Sequence, residues 1–156
     1  MNATAPNATA PVIRQATRVD ATAWASLRRG LWPDADETLE ELQDSLADAD
    51  AAVFLACAEA AVGFAEVRLR HDYVNGTETT PVGFLEGWYV QPDWQGRGLG
   101  RALLAAAKAW TRAKGCSELA SDSRLEDVTA QAAHRACGFE ETERVVYFRL
   151  PLDPVA

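Results

Sequence analysis

Residues 82–101 read VGFLEGWYVQPDWQGRGLGR, and the order of parts within them decides the fold. Gln95-Gly96-Arg97-Gly98-Leu99-Gly100 places glycines at positions 96, 98 and 100. The spacing predicts a strand before this loop, Val82 to Val90, and a helix after it, starting near Gly98 and running LGRALLAAAKAWTRAK. Glycines turn tightly and leave backbone N–H groups uncovered by side chains. At a helix N-terminus those groups lie where the macrodipole already favours negative charge. The stretch therefore reads as an anion site made of main chain and suited to phosphate. A Walker A loop needs Lys-Ser or Lys-Thr after its last glycine, whereas Arg101-Ala102 follows Gly100. A dinucleotide fingerprint fails in both registers, which end on Arg101 or Leu103 in place of glycine. Gln-x-x-Gly-x-Gly fits, on Gln95, Gly98 and Gly100. The plainer alternative is a Gly-rich turn that only starts a helix.

Outward from the loop, the helix puts Leu99, Leu103, Ala107 and Trp110 on one face, and Gly115 is placed to end it. Upstream, AAVFLACA (Ala51 to Ala58) and VGFAEVRLR (Val62 to Arg70) read as an antiparallel pair across a short turn. In the second of these, Val62 and Phe64 share one parity and Val67 and Leu69 the other. That predicts either a bulge or a strand covered on both faces. Val12 to Ala16 is a short strand, followed by a helix capped at Asp20, with Trp24, Leu27 and Leu31 on one stripe and an end before Pro33. Thr38 and Glu41 have capping-box spacing ahead of a helix with Leu39, Leu42 and Leu46 inward. Downstream come a short strand at Glu118 to Ser121, a helix from Val128 to Cys137 capped by Asp127, and strand material over Phe139 to Leu150. The order β-α-α-β-β-β-α-β-α-β is that of an α/β fold with a mixed sheet.

Composition narrows the function classes. The chain has 156 residues, 48% hydrophobic and 24% charged, one domain's worth of a soluble globular protein. We read residues 1–11 as a flexible tail, 12–152 as the domain and 153–156 as a short tail. The net charge of −8 argues against nucleic acid as a partner and suits a cationic small molecule. No apolar run is long enough for a membrane span, and no secretion signal is visible. Three cysteines, Cys57, Cys116 and Cys137, without C-x-x-C spacing point to a reduced, cytoplasmic protein with no metal.

The loop motif, together with the helix and turn from Asp127 to Gly138-Phe139, resembles the GNAT superfamily of N-acetyltransferases. That resemblance implies a mixed, mostly antiparallel sheet of six to seven strands, flanked by about four helices. It also implies acetyl-CoA as co-substrate, its pyrophosphate held by Gln95, Gly96, Arg97, Gly98, Leu99, Gly100 and Arg101, with Trp88, Tyr89, Val90, Asp127 and His134 completing the cofactor site. Where many relatives carry Asn and Tyr, this chain has Asp127 and His134, so a tyrosine general acid is missing at that place; His134 is either a proton donor or structural.

Several segments read together are similar to the aminoglycoside 6′-N-acetyltransferases: Leu31-Trp32-Pro33, Arg70-His71-Asp72-Tyr73-Val74-Asn75-Gly76-Thr77, Phe84-Leu85-Glu86-Gly87-Trp88-Tyr89-Val90, Ala120-Ser121-Asp122 and Gly138 to Phe148. This narrower resemblance implies a drug pocket lined by Trp32, Tyr73, Glu86 and Asp122, with Glu86 and Asp122 catalytic. Asp34, Asp36 and Glu37 either close over a polycation or form a solvated helix start. A base that binds the ammonium and relays its proton suits amine acetylation, and Glu86 lies on the strand that leads into the pyrophosphate loop, which ties its position to the thioester. By strict alternation Glu86 shares a face with Phe84, Trp88 and Val90. The alternative is a glutamate at a strand bulge, satisfied by a local arginine. Asp122 is otherwise a cap or turn residue. A single terminal strand would leave a sheet edge for a second copy, so a homodimer is expected. Acetylation of another amine, such as a polyamine, and a non-catalytic acyl-CoA-binding module are the competing functions.

Overall fold

The computed structural model describes residues 10–155. The tail expected over residues 1–11 lies outside them except for Ala10 and Pro11, which have no regular structure. The described residues fall into two compact units, one up to Asp122 and one from Ser123.

The first unit is a five-stranded sheet in the order β1 (Val12–Gln15), β2 (Ala51–Cys57), β3 (Ala61–Arg70), β4 (Val82–Val90), β5 (Leu119–Ser121). Neighbours run antiparallel except β4 and β5, which are parallel. Helices α1 (Ala21–Leu31) and α2 (Leu39–Ala47) cover one face, and α3 (Leu99–Ala113) lies on the other. Trp24, Leu27 and Leu42 from the first two helices close over Val53, Leu55 and Phe64 of the sheet. On the opposite face Leu103, fully buried, approaches Gly63 of β3, and Thr111 lies against Gly83 of β4.

Local signals explain most element ends. The Thr38–Glu41 capping box forms at α2, with the Thr38 side chain accepting from the Glu41 N–H. α1 stops at Leu31, before Pro33. Asp20 differs from expectation. It sits at the cap position of α1, but its carboxylate takes two bonds from Arg14 at 2.7 Å and one from the Thr17 N–H at 2.8 Å. A guanidinium outcompetes the helix amides because it is charged and bidentate. The buried stripe of α3 also ends on Thr111, with Trp110 only half-buried. Thr111 fits because its hydroxyl donates to the Ala107 carbonyl and needs no outside partner.

The second unit holds α4 (Val128–Ala136), after which residues 137–155 have no regular structure. This corrects the expected sheet of six to seven strands: the described residues contain five. Phe139 to Leu150 was expected as strand material, but a strand exists only through its ladder, and this segment has none. Val146, Tyr147, Phe148 and Leu150 in it stand exposed, Phe148 at 92%.

Candidate active site

The geometry around Glu86 follows from one irregularity in register. Glu66 of β3 pairs with Gly87 of β4 and the next residue, Val67, pairs with Leu85, so Glu86 is the extra residue of a β-bulge. The bulge lies in β4; the parity shift read in β3 belongs to a strand buried along both parities, at Phe64, Ala65 and Val67 alike. The bulge also corrects the predicted face. Glu86 and Phe84 lie on the α1–α2 side, where both meet Arg70. Trp88 and Val90 lie on the α3 side: the Trp88 indole donates to the Gly100 carbonyl at 2.8 Å, and Val90 packs near Leu103 beside Gly63.

Pairing between β4 and β5 ends at Leu85 and Ser121. Glu86, on β4, and Asp122, just after the end of β5, are the first residues past that last pair, and Asp122 is exposed. Beyond them, among the described residues, β4 pairs with β3 alone. The Gln91 N–H bonds back to Val62 of β3, so backbone alternation turns the main-chain groups of Trp88 and Val90 to the side of β4 away from β3. The Val90 carbonyl there accepts from the Gln95 side chain at 3.0 Å, which ties the loop to the end of the strand.

The loop itself uses glycine where the backbone demands it. Gly96 and Gly98 have φ of 75° and 79°, the left-handed region, although a Cβ at either would meet open space. The first helical bond of α3 runs from the Ala102 N–H to the Gly98 carbonyl. The N–H groups of Leu99, Gly100 and Arg101 therefore have no acceptor within the helix. They converge with the dipole on one spot, which fits a phosphate group held by main chain. Arg97 stacks over Trp94 at 4.5 Å.

Glu86 is held by a partner that motif reading did not name. Arg70 donates to Oε1 through Nε at 3.1 Å and Nη2 at 2.9 Å, and to Oε2 through Nη2 at 2.9 Å. This is the glutamate at a bulge with a local arginine. The pairing satisfies the charge without disabling it, since Oε2 keeps a lone pair free of Arg70.

Trp32 sits beside the bulge, its ring over Gly87 so closely that a Cβ there would be 2.5 Å away. Behind it Arg28 binds Glu66 and Glu37, and the Trp24 indole donates to Glu66 at 2.9 Å. Burial pushes the Glu66 carboxyl above its ordinary pKa, against the pull of Arg28 and Trp24. A hydrogen bond from its own backbone, with Arg28 nearby, holds Glu37 below.

Tyr73 is on the loop after β3 with 68% of its surface exposed. The Tyr89 ring packs against Gly30 and Phe64 on the α1–α2 side. In the second unit Asp127 caps α4 by accepting from the Ala130 N–H at 2.9 Å. His134 has Nδ1 2.7 Å from the Ala130 carbonyl and its ring edge-on to Phe139. Among the described residues no group of three or more His, Cys, Asp or Glu could hold a metal, and no helix is long and apolar enough to cross a membrane.

A bulged strand that parts from its parallel neighbour and feeds a Gln-x-x-Gly-x-Gly helix start is an acyltransferase architecture, and the acetyltransferase (GNAT) family model matches residues 17–139. The chain belongs to that family. Within it, the chain is 78% identical over 151 residues to the aminoglycoside N(6′)-acetyltransferase type 1 of Stenotrophomonas maltophilia, covering 96% of this chain and 99% of that one. The protein of the same name from Salmonella typhimurium LT2 is 44% identical over 140 residues, with 88% and 97% covered. The solved structure of AAC(6′)-Iy with the bisubstrate analog CoA-S-monomethyl-acetylneamine superposes with a TM-score of 0.88 at 41% identity, covering 92% of this chain and all of that one.

Proposed function

We propose that this protein transfers the acetyl group of acetyl-CoA to the 6′-amine of aminoglycosides, by direct attack within a ternary complex. The observation that carries this reading is the bulge that brings Glu86 to the point where β4 leaves β5, one short strand segment before the anion loop. The likeness to aminoglycoside acetyltransferases over nearly the whole chain supports the substrate class.

Acetyl-CoA supplies the activated acetyl thioester. The amides of Leu99, Gly100 and Arg101, with Gln95, Gly96, Arg97 and Gly98, form the pyrophosphate site, and Asp127 and His134 join the proposed cofactor set through the family resemblance. A main-chain N–H of β4 on the side away from β3, near Trp88 to Val90, polarises the thioester carbonyl. Glu86 receives the substrate ammonium on its available oxygen and passes the proton to water. Asp122, Trp32 and Tyr73 complete the drug pocket, and the −8 charge draws a polycation toward it.

We also infer that the active form is a homodimer in the cytoplasm. Val146, Tyr147, Phe148 and Leu150 are 77–92% exposed, apolar surface that a second copy would cover.

The test is CoA release with kanamycin or tobramycin beside an analogue carrying a 6′-hydroxyl. Turnover that requires the 6′-amine supports the reading. Equal turnover on both moves the acetylated amine elsewhere, and turnover on polyamines alone would replace the substrate class.

A further inference from the structure

We propose that Arg28 is a positioning residue, a clamp that fixes Trp32 and Glu37 beside Glu86. The inference rests on the active-site reading above, since it takes the segment after α1 as one wall of the acceptor pocket.

α1 ends at Leu31, and the chain leaves it through Trp32 in an extended conformation. Residues 33–38 carry no helix or strand, so nothing in their own backbone holds them against the sheet. Arg28, one turn before the exit, supplies the attachment. Its guanidinium lies 4.7 Å from the Trp32 ring centroid and 5.2 Å from that of Trp24, between two aromatic faces. Nη1 binds Glu66 on β3, and Nη2 binds Glu37 at 2.5 Å. One side chain thus joins α1, the sheet and the connecting loop.

The neighbouring pieces are cut to match. Glu66 is the β3 residue opposite the bulge, so the anchor of the clamp sits across the ladder from Gly87, directly after Glu86. Gly87 has no Cβ, and the Trp32 ring occupies the space one would fill. Arg28, Glu37, Glu66 and Glu86 all line one cavity of about 100 Å³. A lysine could keep the charge but not the arrangement. It has no planar fork to serve two carboxylates while stacked between two indoles.

Two variants act on the clamp from different sides. Arg28→Lys weakens the attachment, and Gly87→Ala pushes Trp32 off the sheet while leaving Arg28 and Glu66 in place. Steady-state kinetics should show the aminoglycoside KM raised about tenfold in each, with the acetyl-CoA KM within twofold of wild type. Fluorine NMR of fluorotryptophan-labelled protein, with the Trp32 line assigned through Trp32→Phe, should show that line shifted or broadened in both variants. An unchanged Trp32 line, or an unchanged aminoglycoside KM alongside a lowered unfolding temperature, overturns the proposal and leaves Arg28 a purely structural residue. If the wild-type protein acetylates no aminoglycoside, the functional reading fails, and the fluorine spectra still report on the clamp.

Discussion

Replacing Glu86 by glutamine separates chemistry from architecture at this site. Glutamine has the same shape and keeps one carbonyl oxygen for Arg70, so the perturbation is the loss of one charge. The ion pair that disappears is partly solvated, with 41% of the Arg70 side chain and 28% of the Glu86 side chain exposed. Pairs of that kind contribute at most about 1 kcal/mol to stability. Arg70 also keeps its place over the Phe84 ring, 3.9 Å away. The bulge is set by backbone register, not by the carboxylate, so the fold should survive with its unfolding midpoint nearly unchanged. Catalysis should not. A group that relays the ammonium proton in the rate-limiting step contributes roughly 10²–10⁴ in rate, or about 3–5 kcal/mol of barrier. The assay is CoA thiol release at saturating acetyl-CoA and varied aminoglycoside, with thermal unfolding measured on the same preparation. A kcat within about fivefold of wild type, at unchanged stability, would refute the assignment of Glu86 as proton acceptor.

Trp88→Phe removes the indole bond to the Gly100 carbonyl at the start of α3; the acetyl-CoA KM should rise about threefold, at ~1 kcal/mol of stability, by kinetics and urea unfolding. Leu103→Ala empties a fully buried position between α3 and the sheet, and denaturant melts should show a loss of about 3–5 kcal/mol. The Arg14 guanidinium holds the Asp20 carboxyl down to about 2 from 3.8, so its contribution is present above pH 4 and is lost as the pH falls from about 4 to about 2; Asp20→Asn should flatten stability in that window in acid titrations. Light scattering at micromolar protein should give twice the chain mass, and a monomer would remove the dimer proposal.

The loop and its helix were legible because their causes are local. Positive φ at Gly96 and Gly98 and the uncovered amides of a helix N-terminus depend on residues within one turn of each other. The bounds of β4 were legible for the same reason, a run of strand formers ending at Gln91-Pro92. What failed was reasoning along the chain about pairing made across it. Strict alternation put Glu86 with Trp88 and Val90, and the bulge undid it; the residues of Phe139 to Leu150 suggested a strand that has no ladder.

Sequence by itself determined the α/β class, the order of elements through α4, the glycine turn that starts α3 and the choice of Glu86 as the residue to test. Tertiary structure alone decided which way Glu86 points, that Arg70 holds it, and that Arg28 ties Trp32 and Glu37 to the sheet. The dividing line is physical. Turns, caps and helix starts are decided by neighbours along the chain. Register is decided between strands, where Glu66 meets Gly87 across 21 positions of sequence. An ion pair such as Arg28–Glu66 exists only once the packing has brought its two ends together.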